Sequence, residues 1–226
     1  MDFGAAFSFV TADEDWVKKL AIASVIALVG VLTAGLAMIP LAGWVLAITR
    51  RVREGTEPVL PEWTDFGQLV MDGLKIVAIT IVWTLPIILL SACVGLISAL
   101  VSSGQGNSEM LPAFANVLLS CVSIPYGLVV SLFLPAAYGH LAATDNLGQA
   151  LNPAVAFKVL RENVGGYVIN ALVWLFLVPI IESIGLLICV IGVFPAIAYT
   201  SAVMGHLMGQ AYRGAEEAGF QLEPAA

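Results

Sequence analysis

The chain has 226 residues, of which 60% are hydrophobic and 11% charged, with a formal net charge of −7. Soluble domains carry about 25% charged residues to cover their surface, so the composition excludes an ordinary water-soluble domain and requires a lipid solvent. The acidic balance excludes a basic nucleic-acid-binding surface, and the absence of alternating ten-residue strands argues against a β-barrel.

Residues 1–12 predict a helix lying on a membrane surface. Asp2 can cap it, and Phe3, Ala6, Phe7 and Val10 share one face. Asp13, Glu14, Asp15 and Trp16 follow. Lys18 and Lys19 stand four residues after Glu14 and Asp15, the spacing of weak helical ion pairs. Trp16 is placed as an interface anchor, and the acidic start predicts no cleavable leader. Residues 20–49 are apolar; one straight helix would be about 45 Å long, well beyond a hydrocarbon layer of about 30 Å. Lys18 and Lys19 precede this run, and Arg50, Arg51 and Arg53 follow it. Keeping both ends cytoplasmic requires a hairpin, turning near 32–35 or at Pro40. A single crossing, giving five spans in all, is the alternative.

Residues 54–63 read as a polar, proline-marked linker. Residues 64–73 predict a second surface helix, with Phe66, Leu69, Val70 and Gly73 on its apolar side. An apolar run from Lys75 to Val101 is interrupted by Pro86. The 102–111 loop has no Lys or Arg and is assigned outside. A second run starts at Pro112, contains Pro125 and Pro135, and returns near Ala143. Asn152 and Pro153 suit N-cap and N1 of a third surface helix at about 153–163, which carries Lys158 and Arg161. Residues 167–181 and 183–210 predict the last hairpin, with Glu182 at its outer turn in water. On this scheme all nine basic residues are cytoplasmic.

The plan repeats: repeat 1 spans 1–53, repeat 2 spans 64–143 and repeat 3 spans 152–213, in one membrane domain (1–213) with a cytoplasmic tail (214–226). Gly139-His140-Leu141 and Gly205-His206-Leu207 lie near the ends of their returning arms, where the first repeat has Gly43-Trp44-Val45. The entering arms carry Trp83 before Pro86 and Trp174 before Pro179. The predicted fold is therefore all-α: a polytopic bundle of about six arms in three hairpins, each preceded by an interfacial helix, in a roughly threefold arrangement. The opening residues, MDF, FSFVTADEDW and KK, followed by GW, RRV, LPEW, DFG and DGLK, resemble a prokaryotic membrane-protein family catalogued as domain of unknown function 4013. The resemblance is close over residues 1–75 and extends as pattern beyond. More remotely, the hairpins are similar to the membrane domain attached to some glycerophosphodiester phosphodiesterases. The resemblance implies a prokaryotic integral membrane protein and brings no catalytic residues.

Among candidate residues, His140 and His206 are the only histidines. If the repeats share an axis their rings could meet to bind a metal or sense pH, against the plainer role of bridging polar groups at helix ends. Asn116 and Asn170 are read as interhelical hydrogen-bond donors. Gly205 and Gly209 permit close helix approach, within the chain or between copies. Cys93, Cys121 and Cys189 fall in apolar runs without zinc or disulfide spacing, as small buried hydrophobes. Phosphate-binding loops, dinucleotide fingerprints and hydrolase motifs are absent from the sequence, so no catalytic, cofactor or metal site is expected. Two functions remain: a non-catalytic scaffold or accessory subunit that organises lipids or partner membrane proteins, acting alone or as a homo-oligomer; or a solute or lipid transporter. The second predicts a cavity lined by Asn116, Ser120, Ser123, Tyr126, Asn170 and Tyr199. The expected location is the cell membrane, with both termini cytoplasmic.

Overall fold

A computed structural model describes residues 2–57, 59–103, 110–188 and 190–221. All regular structure among them is helical: α1 (Phe3–Ala12), α2 (Trp16–Leu32), α3 (Ile39–Glu54), α4 (Phe66–Ser103), α5 (Met110–Thr144), α6 (Leu147–Ala150), α7 (Pro153–Glu162), α8 (Val164–Leu172), α9 (Val178–Ile188) and α10 (Val193–Ala218). A π turn at Val173–Leu177 joins α8 to α9. Most of the predicted 102–111 loop, and Cys189, lie outside the described residues.

Four stretches are long and apolar enough to cross a membrane: Phe66–Val101, Ala113–Thr144, Val164–Ile188 and Val190–Ala218. The helices α2 and α3 are shorter, at 17 and 16 residues, or about 25 Å each. The 20–49 run breaks after Leu32, where Ala34 and Gly35 take positive φ values of 51° and 92°. Lys19 Nζ and Arg51 Nη1 then donate to the same Leu60 carbonyl at 3.1 and 3.3 Å. The start of α2 and the end of α3 are thus together, and the two helices run antiparallel. Lys75 meeting Asp145 at 2.7 Å and the Thr80 and Tyr138 hydroxyls at 2.6 Å set α4 against α5 in the same sense. Asn163 Nδ2 donating to the Ala211 carbonyl at 2.8 Å, and the Thr200 hydroxyl donating to Glu182 at 3.3 Å, do so for α8–α9 and α10.

At the centre, α3, α5 and α10 each touch the other two. Around them α4 lies on α3, α7 and α8 lie on α5, and α1 and α2 lie on α10. Glycines allow the closest of these approaches. A Cβ on Gly43 would fall on the Leu69 carbonyl, and one on Gly73 on the Ile39 carbonyl, so α3 and α4 cross backbone to backbone. Gly205 and Gly209 admit Val45, Ile48, Thr49 and Val52 of α3 within the chain, and Gly139 admits the Tyr212 ring. The core, including Trp44, Ile79, Leu141, Leu207 and Tyr212, lies towards the end that carries the ion pairs. Away from it α4, α5 and α9 present Leu96, Leu100, Val117 and Leu187 outward.

Several expectations are corrected. The second surface helix is not a separate element, because α4 runs unbroken for 38 residues from Phe66 to Ser103. At the third, Asn163 breaks the chain by accepting from the Gly166 N–H. Asp72, which corresponds to Asn163 when Trp83 is set against Trp174, points instead to Arg50 and Gln68. Lys19 pairs with Asp13 at 2.8 Å and Glu62 at 2.9 Å rather than with Asp15, because α2 begins only at Trp16 and Asp15 sits at its N-cap. Cys93 and Cys121 are exposed on the outer halves of α4 and α5 instead of buried. Glu182 lies inside α9, with Leu186, Leu187 and Ile188 still to come before the helix ends. The 54–63 segment is packed as well as polar: Leu60 is buried, and the Pro61 carbonyl accepts from Trp44 Nε1 at 3.0 Å.

Candidate functional site

The polar chemistry of the molecule gathers at one end of the bundle, around the last turn of α3. Three arginines there, six to nine residues after Trp44 in the same helix, point to three different parts of the chain. Arg51 reaches the Leu60 carbonyl of the linker. Arg50 donates to the Ala142 carbonyl at 3.2 Å and contacts Asp72 at 3.3 Å and Asp145 at 3.5 Å. Arg53 meets Glu216 of α10 through two nitrogens, at 2.8 and 3.1 Å. Asp72 is 1% exposed and is satisfied by Arg50 and by Gln68 Nε2 at 3.0 Å, with Lys75 at 3.7 Å. A buried carboxylate is tolerated only when paired in this way. Sequence reasoning placed these cations on one side of the membrane but did not find their partners, since Asp72 and Glu216 are brought in by other helices and Asp145 by the connection after α5.

Lys19, standing just before the apolar run, is a second such centre. Burial alone would lower its pKa, but hydrogen bonds and charge from Asp13 and Glu62 outweigh it and hold the value above 10.5.

Beneath Arg53 lies a buried aromatic and polar cluster. The Tyr212 hydroxyl and His140 Nδ1 share a hydrogen bond at 3.0 Å, and His140 Nε2–H donates to Gln149 Oε1 at 3.1 Å, since the amide oxygen can only accept. The Arg53 guanidinium lies 5.8 Å from the Tyr212 ring centroid. Phe220 packs edge-on to both His140 and Tyr212, carried there by the turn at Gly219, whose φ is 122°. Both ring nitrogens of His140 are taken up by side chains of the chain itself, which suits a bridging role better than a metal ligand.

His206 goes elsewhere. Its ring lies 4.5 Å from that of Phe9, and its Nδ1 accepts from Gln210 Nε2 at 3.1 Å. Gln210 also clamps Asp2, accepting from its N–H at 2.8 Å and donating to its carbonyl at 3.0 Å. The two histidines therefore face different helices and do not form a shared site. His206 and Gln210 line a cleft of about 470 Å³ with Asp2, Arg51, Asn163 and Arg213. Carboxylates from Glu57 and Glu217 complete it, so the wall carries both signs of charge and Arg213 is already paired to Glu217 at 3.0 Å.

The proposed transport lining does not come together. Asn116 and Ser120 are exposed on α5, and Ser120 and Ser123 donate to the Asn116 and Leu119 carbonyls of their own helix. Tyr126 donates to the Trp83 carbonyl on α4, and Tyr199 to the Phe7 carbonyl on α1 at 3.0 Å. Asn170 is fully buried but makes no interhelical hydrogen bond: neither amide atom has a partner among the described residues. Among the described residues no group of three or more His, Cys, Asp or Glu side chains is placed to hold a metal ion.

No curated protein and no solved structure matches the chain. A family described as Protein of unknown function (DUF4013) matches residues 20–194, which leaves out the opening MDF, FSFVTADEDW and KK but extends well past residue 75. With most of its length covered, including all of α3 to α9, the chain belongs to this DUF4013 family.

Proposed function

We propose that the protein is a non-catalytic scaffold or accessory subunit of the cell membrane that organises lipids or partner membrane proteins. In this reading six arms form three hairpins, and α3, α5 and α10 are the returning arms at a pseudo-threefold centre. The cyclic order of contacts supports it: each returning helix carries the entering helix of the next hairpin, α3 with α4, α5 with α8, and α10 with α2. The end bearing the ion pairs, with both chain termini, lies in the cytoplasm, as the placement of basic residues favours. Trp16, Phe66 and Phe157, each partly exposed near the start of one unit, suit anchoring at the interface.

The observation that carries the proposal is the bare outer half of the hairpins. Leu96, Ile97, Leu100, Val117 and Leu118 are each more than half exposed. Lipid tails or the helices of another membrane protein are the surfaces that such side chains can meet. The scattered directions of Asn116, Ser120, Tyr126 and Tyr199 count against a transport path.

Two measurements test this reading. Reporter tags at residue 1 and in the 102–111 loop should report opposite sides of the membrane; tags on the same side exclude six arms. Native mass spectrometry from mild detergent should retain lipid, a second copy or a partner subunit. A bare monomer, together with uptake of solute into vesicles holding the purified protein, would falsify the scaffold reading.

A further inference from the structure

Among the described residues, Asn170 with both amide atoms, the Tyr167 hydroxyl and Trp83 Nε1 are buried without a protein hydrogen-bond partner. Asn170 and Tyr167 are both fully buried. They stand three residues apart on α8, hence on one face, and α8 packs on α5 and α10. Trp83 and Tyr167 pack against the same cluster, which includes Ala136 of α5. An unmade hydrogen bond in such a place is costly, because the amide gives up water and receives nothing in return. The repeat sharpens the point. With Trp83 set against Trp174, the residue corresponding to Asn170 is Ile79, a fully buried apolar core residue. The second hairpin therefore fills this position without any polar group.

The backbone changes at the same place. Asn170 lies three residues before the π turn at Val173–Leu177, and the Val173 N–H is shared between the Asn170 and Ile169 carbonyls. At a π turn the ladder is out of step, and water can enter to satisfy it.

We propose that the face of α8 turned to α5 and α10 is a hydration site inside the bundle, where the Asn170 amide and the Tyr167 hydroxyl hold bound water beside the π turn. Water matches this chemistry because an amide needs both an acceptor and a donor, and a phenol can use either. The inference rests on burial, on the unpartnered atoms and on the π turn, so it stands or falls separately from the scaffold reading.

The test uses the full chain in lipid bilayers, labelled with ¹⁵N at asparagine. In water-edited solid-state NMR, magnetisation should pass from water to the Asn170 Nδ2 protons, giving a signal that disappears in Asn170→Leu. No transfer to that amide in the unsubstituted chain overturns the proposal. A thermal midpoint several degrees higher in both Asn170→Leu and Tyr167→Phe also overturns it, because removing a truly bare polar group must stabilise. Should either variant fail to fold, the unsubstituted chain decides by itself.

Discussion

Single residues in this protein are constrained chiefly by how closely backbones approach. Gly43 and Gly73 each face a carbonyl that leaves no space for a Cβ. Gly43→Ala or Gly73→Ala is expected to cost about 3 kcal/mol or more through forced separation of α3 and α4. Gly67→Ala, with open space around it, should be neutral or stabilise by up to about 1 kcal/mol through helix propensity. Thermal unfolding followed by size-exclusion chromatography compares the three. At Lys19 the prediction concerns pH. A pKa held above 10.5 by Asp13 and Glu62 means that the ion-pair stability is fully present below that value and is lost as pH rises through the folded-state pKa. Lys19→Arg keeps its charge, so its thermal midpoint relative to the unsubstituted protein should stay constant from neutral pH to about 10 and rise only beyond it. A change in that difference near neutral pH would show that the Lys19 charge is not what is being measured. Of the polar residues singled out in the sequence, His140 and His206 are buried and bonded to neighbours. What the chain order concealed was the identity of the neighbours: Tyr212 lies 72 positions from His140.

At the level of helices, one capping choice separates the unbroken α4 from the break between α7 and α8. Asn163 Oδ1 caps α8 at 3.1 Å while its Nδ2 ties the break to α10. Asn163→Ala should therefore lose a cap and an interhelical bond together, about 1–2 kcal/mol for the cap alone, read as a lower unfolding midpoint. In α4 the corresponding Asp72 is occupied by Arg50 and Gln68, and the helix continues. Glu216 offers another helix-level comparison. Arg53→Ala and Glu216→Ala each remove the same two-pronged contact, so a double-mutant cycle should give a coupling of about 1–3 kcal/mol. A coupling near zero would mean that this ion pair adds nothing to the packing that already joins α3 and α10. Periodicity and caps made α1 and α7 legible: Asp2 accepts from the Ala5 N–H and Asn152 from the Ala154 N–H, as their positions predict. Periodicity could not announce the continuity of α4, since Asp72 and Gly73 look like a break unless Arg50 is known to be waiting.

Over the whole molecule, stability is concentrated at one end, and apolar surface is left uncovered at the other. The three arginines of α3 join the linker, the α4–α5 pair and α10, so the end of a 16-residue helix ties distant parts of the chain together. Gly205→Leu with Gly209→Leu is expected to unfold the protein, because both sites face α3 of the same chain. If those glycines served contacts between copies instead, the double variant would remain folded and change only its oligomeric state, which native mass spectrometry distinguishes.

The sequence by itself determined the solvent, the helical class and the family, and it favoured a break in the first apolar run over a single crossing. Each follows from local quantities: apolar content, run length, turn residues and a contiguous pattern of motifs. The tertiary structure alone decided that α3, α5 and α10 meet, that the two histidines face apart, and that Asp72 and Glu216 answer the arginines of α3. It also left the Asn170 amide without a protein partner. These outcomes depend on the angle and depth at which helices cross, and on which side chain reaches a given group first. Neither leaves a periodic mark along the chain.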